Sequence, residues 1–111
     1  MIGCDIDGVL VDRNGLTGFL PTEPDYVIIS GRKTDDWPNT LASLGHLDKR
    51  IYLRPLRFPG DSPHWKAAMI GWLGIVKFYE DDPNQAREIR RICPGCAVHL
   101  VKDGRVVEIL G

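Results

Sequence analysis

Ile75-Val76-Lys77-Phe78-Tyr79-Glu80-Asp81-Asp82-Pro83 is the stretch on which the fold turns. Apart from Lys77, residues 75–79 are β-branched or aromatic, which predicts a short buried strand. Acids end that strand, and Asp82 before Pro83 has the chemistry of a helix start. A carboxylate there accepts backbone N–H groups, and proline loses nothing by lacking one in the first turn. A helix to about Ile92 follows. Working outward, Asp61 or Ser62 caps a helix with Pro63 near its first position, which runs to about Leu73 and stops at Gly74. Residues 50–54 form the strand before it. Residues 26–30 form another strand, and residues 34–47 a helix with Trp37, Leu41, Leu44 and Leu47 on one stripe and Pro38 in its first turn. Residues 2–6 open the chain as a strand. Residues 97–101 and 105–110 close it as two strands, joined by a Lys102-Asp103-Gly104 hairpin turn. Strands alternating with helices in this way predict an α/β fold with a mainly parallel sheet.

The composition sets bounds. The chain has 111 residues, room for a single domain over 1–111. Hydrophobic residues are 43% and charged residues 26%, a globular balance, and the net charge of -1 excludes a nucleic-acid binder that works by bulk positive charge. No apolar run approaches the roughly 18 residues of a membrane span, and the start MIGCDIDGVL lacks the pattern of a signal peptide. The expectation is a soluble cytoplasmic protein with no membrane partner. Three cysteines are too few and odd for a disulfide scaffold. Cys93 and Cys96 have C-x-x-C spacing, but with His99 they reach three ligands where structural zinc takes four. A helix-to-strand turn at Pro94-Gly95 is the expected reading.

In parallel sheets, ligands bind beyond the carboxyl ends of the strands. Polar residues collect at those ends here: Asp5-Ile6-Asp7-Gly8, then Ser30-Gly31-Arg32, then Arg54, then Glu80-Asp81-Asp82, with Lys66 near the start of a helix. Each alone has an ordinary explanation in turn or cap chemistry. Brought together, Asp5, Asp7 and Asp81 would repel one another and call for a hard cation such as Mg²⁺. Ser30 could donate to a phosphoryl oxygen, and Lys66 could place a charge on it or hold the carboxylates ionised.

Asp5-Ile6-Asp7-Gly8-Val9-Leu10 after a short apolar strand resembles the first motif of the haloacid dehalogenase-like (HAD) superfamily of phosphohydrolases. Ser30-Gly31-Arg32 resembles the second motif, Lys66 at a helix start the third, and Glu80-Asp81-Asp82 the fourth. The resemblance covers residues 2–101. It implies a Rossmann-like three-layer sandwich and a Mg²⁺-dependent phosphatase that forms an aspartyl-phosphate. Asp5 would be nucleophile and metal ligand, and Asp7 the general acid/base with its carbonyl on the metal. Ser30, Gly31 and Lys66 would bind the phosphoryl group. Asp81 would be the remaining metal ligand, with Asp82 as the alternative. Arg32, Arg54 and Asp82 are candidate substrate contacts. The family's usual cap domain is inserted after the first motif or between the second and third. Here residues 12–24 are long enough only for a flap and residues 54–66 hold a loop and a helix start, so the cap is missing and the site should be open.

An open site suits a large phosphorylated partner or a lid from another subunit. Five basic residues (Lys49, Arg50, Arg54, Arg57 and Lys66) face one acid, Asp61, over residues 49–66, with Phe58 and Trp65 among them. Arg32, Lys33 and Trp37 belong to the same edge. Basic groups interleaved with aromatics suit a nucleic-acid end, and a charged face with core aromatics is the plainer explanation. A non-catalytic phosphate- or metal-binding regulatory module is the rival of another class.

Overall fold

Period-two alternation along the strands sorts their side chains into two cores, one on each face of the sheet. Cys4, Ile28 and Tyr79 point to one face, where they pack with Ile6, Leu10, Tyr26 and Leu44. Val27, Ile29, Phe78 and Val98 point to the other, against Met69, Ile70, Ala86 and Ile89. The computed structural model describes residues 1–45 and 47–111.

The strands are β1 (Ile2–Cys4), β2 (Val11–Asp12), β3 (Gly15–Leu16), β4 (Val27–Lys33), β5 (Ile51–Arg54), β6 (Lys77–Glu80), β7 (Ala97–Lys102) and β8 (Arg105–Leu110). The α-helices among the described residues are α1 (Trp37–Leu44), α2 (Ser62–Leu73) and α3 (Pro83–Ile92). Six strands form one sheet in the order β5-β4-β1-β6-β7-β8, and β2 and β3 form a separate hairpin. All pairings in the large sheet are parallel except the last, between β7 and β8. The domain is therefore α/β with a mainly parallel sheet. The chain builds outward from β1 through β4 to β5, then returns to the other side of β1 and builds outward again from β6. That reversal opens a crevice at the carboxyl ends of β1 and β6. No helix is long and apolar enough to cross a membrane among the described residues.

Two helix starts follow their sequence signals. Asp61 accepts from the His64 N–H, and Asp82 from those of Asn84 and Gln85, with Pro63 and Pro83 in the first turns. Gly74 ends α2 in the left-handed conformation, where a side chain would be strained. Asp103 and Gly104 both take positive φ in the β7–β8 turn, as a type I′ hairpin requires. The Cys93–Cys96 segment is a turn in which the Cys96 N–H bonds to the Cys93 carbonyl.

Four expectations change. β1 stops at Cys4, because Ile6 accepts three N–H bonds in a tight loop and leaves the ladder. The fourth parallel strand begins at Lys77, not 75, since Val76 ties instead to Met1 and Ala97 by single bonds. The helix expected over 34–47 opens with a 3₁₀ turn at Thr34–Asp36 and is α-helical only over Trp37–Leu44; its expected course through His46 lies outside the described residues. Its inward face is as expected only in part. Leu44 is buried and Leu47 packs on the core, but Thr40 is buried as well, whereas Trp37 and Leu41 are exposed. The Thr40 hydroxyl bonds the Asp36 carbonyl and receives Arg32, which turns that face inward.

Candidate active site

The loop after β1 carries Asp5 into the crevice. Its N–H continues the ladder by donating to the Tyr79 carbonyl at 3.0 Å, so its backbone is fixed by the sheet. Its carboxylate is also fixed: Oδ1 accepts from the Ile6 N–H at 2.8 Å and Oδ2 from Lys66 Nζ at 2.9 Å. Lys66 comes from the second turn of α2 and is 2% exposed. Its other donors go to Glu80 Oε1 at 2.7 Å and Gln85 Oε1 at 2.8 Å. An ammonium has three N–H groups, so Lys66 is fully used. It holds the carboxylates of Asp5 and Glu80 and still lines the cleft.

Glu80 is fully buried at the end of β6. Its Oε2 accepts the N–H groups of Asp81 and Asp82 at 3.0 and 3.3 Å. One oxygen each from Asp5, Glu80 and Asp81 lie within 4.8 Å of one another. Asp5 and Glu80 share the Lys66 ammonium, and Asp81 adds a third acid beside them. Burial, then the Asp5 charge, pushes the Glu80 carboxyl well above the usual range. Burial likewise pushes Asp81 up. For Lys66, burial works against the charged form, but Asp5 and Glu80 outweigh it and the net shift is upward. Oxygen donors with excess negative charge fit a hard divalent cation.

Gly8 shows how closely the loop is built around Asp81. At φ +79° it sits in the left-handed region, and a Cβ there would lie 1.9 Å from Asp81 Oδ2. Gly31 has a similar role, since its Cβ would lie 2.1 Å from Ser62 Oγ. Ser30 Oγ accepts the Arg32 N–H at 3.0 Å, which leaves the hydroxyl hydrogen free to donate elsewhere. The Ser30 carbonyl receives the Trp65 indole N–H at 3.0 Å, tying β4 to α2.

A cleft of about 400 Å³ lies over these groups. Asp5, Asp7, Ser30 and Gly31 line it, as do Arg32, Lys66, Asp81 and Asp82. Asp81 and Asp82 are no longer interchangeable: Asp81 joins Asp5, while the Asp82 carboxylate caps α3. Arg54 is not among the lining residues. Its guanidinium bonds the carbonyls of Gly31 and Gly60 and so braces the cleft from behind. The basic-aromatic patch is partly spent in the same way. Phe58 and Trp65 pack edge to face at 5.4 Å, and Lys49 bonds the Pro24 carbonyl.

Two lining residues, Ser62 and Gln85, and the buried Glu80 beside the cleft carry no assigned role in the sequence reading. Glu80 could have been given one, because it shares strand parity with Phe78 and so faces α2 and α3. Gln85 stands three residues after a capping Asp82, where a back-bond to the cap is the usual expectation; it turns to Lys66 instead. Nothing in sequence marks Ser62 beyond its place in the first turn of α2. Cys93, Cys96 and His99 do not gather into a metal-ligating group among the described residues. Comparison of the chain with family models, with curated proteins and with solved structures finds no match.

Proposed function

We propose that this cleft is the active site of a Mg²⁺-dependent phosphomonoesterase working through an aspartyl-phosphate on Asp5, on a Rossmann-like, capless core of the HAD type. One observation carries the proposal. Asp5 and Lys66, 61 residues apart in sequence, meet at 2.9 Å beside Asp81 and Ser30, in one cleft at the reversal of strand order. Across the sheet the five parallel strands, numbered in chain order as β1, β4, β5, β6 and β7, run 3-2-1-4-5, which supports a Rossmann-like reading. Residues 12–24 contain only the β2–β3 hairpin beyond Val11 and a loop, which suits an uncapped site.

Asp5 and Asp81 would hold the cation, with the Asp7 carbonyl as a further oxygen and Glu80 bracing both acids through Lys66 and the Asp81 N–H. Mg²⁺ would supply charge compensation for the substrate phosphate beside these acids. An Asp5 oxygen attacks phosphorus while the bond from phosphorus to the ester oxygen breaks. The leaving oxygen takes a proton from Asp7 and departs as the alcohol. Water then attacks the aspartyl-phosphate and gives its proton to Asp7, which releases inorganic phosphate and restores both carboxyl groups. The Ser30 hydroxyl and the Gly31 N–H would hold phosphoryl oxygens. Lys66 keeps Asp5 oriented and lines the cleft where the phosphoryl group would sit.

Hydrolysis of p-nitrophenyl phosphate with Mg²⁺ tests this. Asp5→Asn should cut turnover by about 10³-fold or more while circular dichroism stays native. Equal turnover by both proteins, or none by either, would remove the assigned nucleophile and favour a binding module.

A further inference from the structure

We propose that Arg32 is a positioning residue, whose guanidinium holds Asp7 apart from the Asp5–Glu80–Asp81 cluster and so reserves that carboxylate for proton transfer. The inference rests on the phosphomonoesterase reading and adds a residue to it. Asp7 leaves β1 only two residues after Asp5, and a free carboxylate so close would be drawn to a divalent ion. It does not join the cluster of acids. Both its oxygens are taken by Arg32, with Nε 2.9 Å from Oδ2 and Nη2 2.8 Å from Oδ1. This planar fork fixes the carboxylate's direction, which a lysine ammonium cannot do.

Arg32 is itself fixed. Its Nη1 donates to the buried Thr40 hydroxyl at 3.3 Å and lies 3.9 Å from Asp36 Oδ2. The register of β4 against β5 shifts between Ser30 and Lys33, and such a bulge re-aims side chains at a strand end. Here it turns Arg32 into the cleft. Two cations therefore divide the acids: Lys66 serves Asp5 and Glu80, and Arg32 serves Asp7.

The first test needs no substrate. Mn²⁺ binding is measured by calorimetry for the wild type, Asp7→Asn, Arg32→Ala and the double variant. Asp7→Asn should change Kd less than about twofold in the wild-type background and weaken binding about fivefold or more in Arg32→Ala, where the freed Asp7 would reach the ion. Equal effects in the two backgrounds overturn the proposal, as does a wild type that binds no Mn²⁺. The second test is leaving-group dependence. Arg32→Ala should lose about 100-fold on an alkyl phosphate and about tenfold or less on p-nitrophenyl phosphate, whose leaving group needs no proton. Arg32→Lys, which keeps the charge without the fork, should show the same bias more weakly. Equal losses on both substrates would make Arg32 a substrate contact. Coupled Mn²⁺ binding without hydrolysis by the wild type would refute the phosphatase reading and, with it, the proton-transfer role, and would leave standing only that Arg32 holds Asp7 away from the ion.

Discussion

Lys66 and Arg32 both pair with an aspartate at the exit of β1, yet their surroundings differ sharply. The side chains of Lys66 and Asp5 are 3% and 7% exposed, and Glu80 closes the group from the other side. In the second pair, Asp7 is 62% exposed while Arg32 is mostly covered. A third pair, Lys77 with Glu23, falls between them, and Glu23 also accepts from the Tyr79 hydroxyl. The same charges therefore have different physical worth. In the buried group, removing one partner strands a charge away from water. In the second pair, water reaches the Asp7 carboxylate, and Arg32 keeps the Thr40 hydroxyl, so less is lost. A group that must keep its place sits in the first kind of site, and a group that must exchange a proton with substrate and solvent sits in the second.

The largest expected effect breaks the buried group. Lys66→Met should destabilise the fold by about 3–5 kcal/mol, read by urea denaturation, and Glu80→Gln in the same chain should recover part of it. A loss under about 1 kcal/mol would mean that the Lys66 site is wetter than its burial implies. Gly8→Ala comes next. It adds a strained left-handed residue, worth about 1–2 kcal/mol, and drives a methyl into Asp81. Calorimetry should show divalent-cation binding lost while the protein stays folded. Unchanged binding would show that Asp81 is not a ligand.

The intermediate pair makes a prediction in pH. Its hydrogen bond from Lys77 leads the causes that lower the Glu23 carboxyl to about 2, from an ordinary value of 4.5. A depressed carboxyl contributes stability that is fully present above the ordinary value and is lost as pH falls toward the folded one. Unfolding midpoints should therefore decline between about pH 4.5 and 2, and Glu23→Gln should flatten that window. An identical decline in the variant would assign it to other acids. The smallest effect belongs to the exposed pair: Asp7→Asn should change stability by about 1 kcal/mol or less. A larger loss in thermal unfolding would erase the contrast with Lys66.

Much of the scaffold was legible where a local rule acts alone. Asp61 and Asp82 each cap a helix with their own carboxylate, and proline in the first turn and Gly74 at the stop need no distant partner. Asp103-Gly104 sets its hairpin by the same local logic. α1 was misread because periodicity reports a stripe without saying which way it faces. A threonine bonded to Arg32 and the Asp36 carbonyl turned out to face inward, where Trp37 was expected to.

Backbone chemistry and residue order, then, were enough for the alternation of strands and helices, the caps and the collection of polar residues at strand ends, because those depend on neighbours within a few positions. Which acid joins Asp5, which cation serves which carboxylate, and that Arg54 and Trp65 brace the cleft instead of lining it were decided only by the folded chain. Those outcomes depend on sheet order, a register shift in β4 and the burial of Lys66 between two strand ends, and each arises from contacts between residues far apart in sequence.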